Sequence, residues 1–263
     1  IACGGIPTYD TVTATGREPR RASQHGVPLV PYMAGLRVLH FGVAGATRTF
    51  IFDTGAGITV VSPDLARAIG CVPFARLSAY RQTGERIDIP SCAGAQFSGE
   101  GLSFAPETVG IFDVGALLPP SWPQVDGVVG LDLFEGRSLD IELGCNRLTV
   151  DPAAETRGDE VRIRARREIG GQALDVGVFV PTESGVLWFL IDSGNVVPAV
   201  VAEHAAGLLG LHGSGDRARF RIPGFERAEP VEVEIKDLTI DGNLGTPYLE
   251  AWTIRLDLAV MRM

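Results

Sequence analysis

The chain has 263 residues, of which 45% are hydrophobic and 21% are charged, a composition typical of a soluble globular protein with one large or two modest cores. Its net charge of −9 argues against a nucleic-acid partner, which requires a basic surface. No apolar run reaches the ~18 residues that a membrane span requires. The 33 glycines and 17 prolines favour a turn-rich all-β protein over a helical bundle. Lys236 is the one lysine among 23 basic residues, which indicates a GC-rich, bacterial genome.

The first 26 residues are rich in Gly, Thr, Ser, Arg and Pro, which predicts an N-terminal extension or tether over residues 1–26. The start Ile1-Ala2-Cys3-Gly4 resembles the end of a bacterial lipobox. This resemblance implies an exported, periplasmic or cell-envelope protein with a lipid anchor at Cys3. A trimmed signal peptide is the alternative interpretation of the same residues.

The next part of the chain predicts two strands, an acidic loop and a short helix. Residues 36–43 are strand-like, and a second strand, the apolar run 50–52, continues into Asp53-Thr54-Gly55. Residues 62–70 predict a helix, because Ser, Pro and Asp in succession suit its first turn and a Gly ends it.

The same order of motifs occurs again in the second half. The apolar run 189–191 continues into Asp192-Ser193-Gly194, and residues 201–209 form a counterpart of the first helix. A further shared element, Asp-Gly-x-x-Gly, occurs at 126–130 and at 241–245. Each copy precedes an alternating strand, and residues 151–159 suit a linker between the two halves. An internal duplication of this kind predicts two similar lobes.

These motifs resemble a known family. Asp-Thr-Gly-Ala followed by a Thr-Val-Val-Ser strand and a short helix, and then Val-Val-Gly at 128–130, resembles a lobe of a retropepsin-type aspartic peptidase. Two such lobes in one chain resemble the bilobal, single-chain, pepsin-like arrangement over roughly residues 27–263. The resemblance implies an all-β fold with an active-site cleft between an N-terminal lobe at 27–152 and a C-terminal lobe at 153–263. Asn195 and Asn243 depart from the family pattern in the second lobe.

Two carboxylates that face each other cannot both ionise easily, so one keeps its proton while the other stays charged. The resemblance implies that Asp53 and Asp192 form such a catalytic dyad, in which the charged Asp activates water and the protonated Asp polarises the scissile carbonyl. It also implies that the hydroxyls of Thr54 and Ser193 cross-link the two loops. Gly55 and Gly194 are expected to permit close backbone approach and to favour a positive φ. The sequence does not decide which Asp holds the proton, because a coupled pair titrates as a unit.

The predicted function is therefore that of an aspartic endopeptidase, a hydrolase of peptides or proteins that needs no cofactor and acts as a monomer. Two alternatives stay open. One is a catalytically silent peptide-binding or interaction protein with the same fold, and the other is a retropepsin-like homodimer that uses Asp53 twice. A peptidase of this type also needs a flap over its cleft. Residues 79–87 are the candidate flap, with Tyr80 at the family's flap-tyrosine position and Thr83 and Gly84 at the hairpin tip.

The chain contains four cysteines and four histidines, and none of them has the spacing of metal ligands, so the sequence predicts no metal site. In an exported protein, which the N-terminal motif implies, an even number of cysteines is consistent with a disulfide, and Cys71–Cys92 is the favoured pair. Buried free thiols are the competing interpretation.

Overall fold

The computed structural model of the protein describes residues 8–10, 25–153, 159–166, 173–212, 217–223 and 229–259. Fourteen strands are described in the first half: β1 (Thr8–Asp10), β2 (His25–Pro28), β3 (Val30–Pro31), β4 (Arg37–Val43), β5 (Ala46–Phe52), β6 (Val60–Val61), β7 (Ala75–Tyr80), β8 (Arg86–Cys92), β9 (Phe97–Gly99), β10 (Leu102–Phe104), β11 (Val109–Ile111), β12 (Gly127–Val129), β13 (Ser138–Glu142) and β14 (Arg147–Val150). Nine follow in the second half: β15 (Asp159–Glu160), β16 (Ile163–Arg166), β17 (Asp175–Thr182), β18 (Gly185–Asp192), β19 (Ala199–Ala202), β20 (Arg217–Phe220), β21 (Val231–Lys236), β22 (Gly242–Gly245) and β23 (Thr253–Asp257).

The helices are short. They are α1 (Pro63–Ala68), α2 (Glu203–Ala206) and α3 (Thr246–Leu249), with single 3₁₀ turns at Met33–Gly35, Val114–Leu117, Leu131–Phe134, Leu143–Cys145 and Gly207–Leu209. The predicted first helix is confirmed: the Ser62 hydroxyl accepts a hydrogen bond from the Leu65 N–H, and Gly70 follows with a φ of +69°. Its predicted counterpart in the second half is α2 and the 3₁₀ turn that follows it. No described helix is long and apolar enough to span a membrane.

Two sheets repeat one topology. In the first, β5 and β12 are parallel neighbours and β12 pairs antiparallel with β6, within the order β10-β9-β4-β5-β12-β6-β11-β8-β7. In the second, β18 and β22 are parallel neighbours and β22 pairs antiparallel with β19, within the order β16-β17-β18-β22-β19-β21-β20. The predicted all-β fold with two similar lobes is confirmed by this correspondence.

A third sheet joins the two halves. Its order is β15-β1-β23-β13-β14-β2, so that β23 from the second half pairs antiparallel with β13 from the first. Across this pair, Arg255 Nε donates to Asp140 Oδ1 at 2.6 Å. The strand β1 pairs parallel with β23, although it belongs to the stretch 1–26 that the sequence predicts to be an extension or tether. Most of that stretch, including Cys3, and residues 154–158 of the predicted linker lie outside the described residues.

The cores follow from the alternating strands. Inward-facing residues of β5 and β18 are fully buried, Phe50, Phe52 and Phe189 among them, and belong to one apolar cluster that extends through both lobes. At the base of the hairpin formed by β7 and β8, Cys71 and Cys92 form a disulfide, which confirms the favoured cysteine pair. Cys145 is also disulfide-bonded.

Candidate active site

Reciprocal hydrogen bonds join the two acidic loops, which contain Asp53 and Asp192. The Thr54 N–H donates to Ser193 Oγ, and the Ser193 N–H donates to Thr54 Oγ1, each at 3.0 Å. Each hydroxyl then donates onward to a carbonyl of the other lobe, Thr54 Oγ1 to Ile191 O at 2.8 Å and Ser193 Oγ to Phe52 O at 3.0 Å. Both side chains are at most 2% exposed. The structure therefore places the two hydroxyls where the family resemblance implied them.

The carboxyl groups of Asp53 and Asp192 lie against each other and share a hydrogen bond. Each one also packs onto the glycine of the other loop: a Cβ on Gly55 would lie 2.7 Å from Asp192 Oδ1, and a Cβ on Gly194 would overlap the Asp53 carboxyl. Neither glycine has a positive φ, so that part of the expectation is wrong. The reason for glycine at both positions is the close approach of the opposite carboxyl group.

Burial and mutual repulsion make the dyad a proton-sharing pair. Burial, together with the nearby charge of Asp192, raises the pKa of Asp53 to about 8. Burial also raises the pKa of Asp192, and a hydrogen bond from Gln82 opposes that rise. Both shifts favour retention of a proton by the pair, as general acid–base catalysis by two carboxyl groups requires.

Within the part of the chain that the structure describes, two side-chain amides donate to Asp192 and none donates to Asp53. Asn243, which is 3% exposed, donates from Nδ2 to Asp192 Oδ2 at 2.9 Å. Gln82 donates from Nε2 to the same oxygen at 2.7 Å. Sequence reasoning noted Asn243 only as a departure from the family pattern, and it did not select Gln82.

Gln82 reaches the dyad because the flap hairpin is closed over it. Strands β7 and β8 form this hairpin, and its tip contacts the second lobe where the Thr239 N–H donates to Gln82 O at 2.8 Å. Gly84, with a φ of +82°, closes the turn by donating to Arg81 O at 2.8 Å. Thr83 lies between Gln82 and Gly84 at the tip. Tyr80 is the last residue of β7 and is 58% exposed.

A further, half-buried carboxyl group, that of Asp132, stabilises the first acidic loop. Asp132 accepts hydrogen bonds from the Thr59 N–H at 2.8 Å and from Thr59 Oγ1 at 2.7 Å. Thr59 Oγ1 also accepts from the Gly130 N–H at 3.2 Å, which ties the loop to the end of β12. Burial raises the pKa of Asp132 to about 6, and the two bonds from Thr59 oppose the rise.

A cavity of about 110 Å³ lies beside the strand that leads to Asp192. Leu190 and Trp188 of β18 line it, and Thr239, the contact of the flap tip, lines its other side. Arg164 also lines the cavity and stacks on the Trp188 ring at 4.9 Å from its centroid. Among the residues that the structure describes, no group of three or more His, Cys, Asp or Glu side chains is placed to hold a metal ion.

The comparisons with known proteins give a likeness in structure alone. No protein-family model matches the chain, and no curated protein matches its sequence. Among solved structures, the chain is similar to an aspartic proteinase from Irpex lacteus, with 12% sequence identity, a TM-score of 0.46, and coverage of 87% of this chain and 92% of that chain. At this identity and TM-score the likeness carries no argument, and any function has to be inferred from the site itself.

Proposed function

We propose that the chain is an aspartic endopeptidase that hydrolyses peptide bonds with water activated between Asp53 and Asp192. The observation that carries the proposal is the pair of acidic loops from the two repeats, which reciprocal hydroxyl bonds hold with their carboxyl groups in contact. A turn that merely exposes a polar residue needs no buried cross-link of this kind. Two carboxyl groups that share one proton supply both a general base and a general acid.

Each residue then has a distinct task. The charged carboxylate accepts a proton from water, and the protonated carboxyl polarises the peptide carbonyl, so that no acyl-enzyme forms. Thr54 and Ser193 keep the two carboxyl groups in register, and Gly55 and Gly194 leave room for them to meet. Both Asp residues come from one chain, which supports a monomeric enzyme over a homodimer that uses Asp53 twice.

The substrate class follows from the surroundings of the dyad. The Gln82 carboxamide, which has the same donor and acceptor groups as a peptide bond, lies on the dyad: its N–H donates to Asp192 and its Oε1 accepts from Asn243 Nδ2 at 2.7 Å. A peptide that displaces Gln82 finds the same partners once the flap hairpin lifts. The cavity next to Leu190 and Trp188 would accept one substrate side chain.

The test is digestion of a mixed peptide library between pH 3 and 7, read by mass spectrometry. Wild type is compared with Asp53→Asn and Asp192→Asn, and Asp64→Asn, an exposed aspartate of α1, is the matched control. We expect new termini with wild type and the control and none with either dyad variant. Cleavage that persists in Asp192→Asn would contradict the two-repeat dyad.

The alternative, a catalytically silent peptide-binding protein, is favoured by one observation. Gln82 and Asn243 saturate Asp192 Oδ2, which leaves that oxygen no free position for water while the flap hairpin is closed. Peptide binding to wild type without cleavage at any pH, measured by calorimetry on folded protein, would establish this alternative.

We also propose that the protein is exported to the periplasm or the cell envelope. The Cys71–Cys92 disulfide supports an oxidising compartment. Cell fractionation of the full-length protein tests this proposal: recovery of the protein in the cytoplasmic fraction would contradict export.

A further inference from the structure

A chain of hydrogen-bonded side-chain amides ends at Asp192. A backbone N–H group at its other end fixes the direction in which each amide donates. The Val197 N–H donates to Asn195 Oδ1 at 3.2 Å, so the Asn195 amide must turn its NH₂ group the other way. That NH₂ group donates to Asn243 Oδ1, which in turn leaves the Asn243 NH₂ group facing Asp192. Asn243 then donates to Asp192 Oδ2 at 2.9 Å. A backbone donor can only donate, so the chain can run in one direction only and ends on a carboxylate acceptor.

The described residues of the first lobe form no such chain of amides. By the register of the motif strands, Val128 of β12 occupies the place of Asn243 of β22, because it pairs with Ile51 as Asn243 pairs with Leu190. In the acidic loop, Ala56 occupies the place of Asn195. An alkyl side chain at both positions offers no donor. Apart from Asp192, the donors to Asp53 among the described residues are backbone N–H groups, those of its own loop and of Gly194.

From this asymmetry we propose that Asn243 is a positioning residue that fixes the negative charge of the dyad on Asp192 and thereby leaves the shared proton on Asp53. Hydrogen bonds to the charged form of an acid favour that form, and an amide N–H stabilises a carboxylate more than a neutral carboxyl. The location of the negative charge on Asp192 does not depend on whether the protein has catalytic activity. Its catalytic meaning, that Asp192 is the base and Asp53 the acid, rests on the proposed function.

The negative charge is expected to stay on Asp192 when the flap hairpin opens. Gln82 donates to the same Asp192 oxygen, but it belongs to the hairpin tip and leaves with it. Asn243 lies in the interior strand β22 between β18 and β19 and stays in place. Among the described residues, Asp53 is the titratable group that meets Asp192. The other elements around it present amides and hydroxyls, from Gln82, Asn243, Ser193 and Thr54.

With Asp192 charged and Asp53 protonated at the start, the proton transfers of peptide hydrolysis balance. As the water oxygen bonds to the carbonyl carbon, one water O–H bond breaks and its proton goes to Asp192, while the Asp53 proton goes to the carbonyl oxygen. The product is a neutral gem-diol between a charged Asp53 and a protonated Asp192. When the C–N bond breaks, Asp192 gives its proton to the leaving nitrogen and Asp53 takes one from a diol hydroxyl, which restores the starting state.

The test is a pH titration of the aspartate carboxyl carbons by NMR in ¹³C-Asp-labelled protein, which needs no substrate. Resonances are assigned by their loss in Asp53→Asn and Asp192→Asn. We expect Asp192 to show the lower apparent pKa of the pair. Asn243→Leu, similar in size and unable to donate, is expected to raise the proton affinity of Asp192 about tenfold. Val128→Ala, at the matching place of the first lobe, is expected to leave it unchanged.

Two further variants protect the test against misfolding of Asn243→Leu. Asn195→Ala keeps the Asn243 side chain but releases its direction, and it is expected to move the titration the same way by less. The exchange of Asn243→Val with Val128→Asn is expected to move the first ionisation toward Asp53. Ionisation of Asp53 before Asp192 in wild type, or an unchanged titration in folded Asn243→Leu, overturns the proposal. Absence of peptide cleavage together with the expected titrations leaves it standing and contradicts only the proposed function.

Discussion

Substitution of Ser193 by Ala is expected to lower the free energy of unfolding far more than removal of a serine hydroxyl elsewhere, because Ser193 cross-links the two acidic loops. Ser193 Oγ accepts from the Thr54 N–H and donates to Phe52 O, and both bonds are 3.0 Å long in a region that water does not reach. Alanine leaves one N–H and one C=O without partners. Each buried polar group left unpaired costs about 1–3 kcal/mol, so we expect a loss of about 2–6 kcal/mol in the free energy of unfolding.

The assay is urea and thermal denaturation followed by circular dichroism at pH 5. For a chain of this size, a loss of about 3 kcal/mol corresponds to a fall in Tm of about 6–12 °C. The control is Ser62→Ala, which also removes a serine hydroxyl but breaks one bond, to the Leu65 N–H at the start of α1, with an expected cost of about 1 kcal/mol. Thr54→Val, which removes the partner hydroxyl and keeps the shape, should cost as much as Ser193→Ala.

Equal losses of unfolding free energy in Ser193→Ala and Ser62→Ala would refute the reasoning. They would mean that the cross-link between the loops stabilises the fold no more than a single serine hydrogen bond at a helix start. Peptide cleavage gives a second readout. A variant that is folded at the assay temperature is expected to lose kcat with little change in KM, since the cross-link orients the carboxyl groups and does not contact the substrate.

Three other predictions concern the cleft. The raised pKa of Asp53, about 8, means that the folded state binds its proton more tightly than the unfolded state, so stability is present below about pH 4 and is lost as pH rises toward 8. Asp53→Asn is therefore expected to raise Tm by an amount that grows from pH 4 to pH 8; equal differences at both pH values would contradict this. Gln82→Ala is expected to tighten the Kd of a non-cleavable peptide, measured by calorimetry, whereas Thr83→Ala at the same tip should leave it unchanged. Leu190→Phe, which narrows the 110 Å³ cavity, is expected to remove cleavage products with bulky side chains on one side of the cut bond and to keep those with small ones, as read from the library digest.

The repeated motifs made the fold and the centre of the site predictable. An apolar run that ends in Asp-Thr-Gly or Asp-Ser-Gly specifies a buried strand and a tight loop locally, and its repetition specifies a second lobe with the same topology. The hydroxyl cross-link followed from the same residues through the family resemblance. The joining sheet did not, because pairing of β23 with β13, and of β1 with β23, depends on contacts between distant segments that alternation alone does not assign.

Gln82 and Asn243 were harder to foresee for different physical reasons. A glutamine on a polar hairpin looks like any exposed turn residue until the hairpin folds down and its tip bonds Thr239. Asn243 did carry a signal: an amide in place of an aliphatic residue, in a strand otherwise buried, must find partners or cost several kcal/mol. Asn195 deviates from the same family pattern, and the two deviations turn out to satisfy each other and Asp192. Asn195 and Asn243 both depart from the family pattern in the second lobe, and they are hydrogen-bonded to each other. This pairing indicates a different way of positioning the dyad, and it does not indicate that the second lobe has lost its catalytic role.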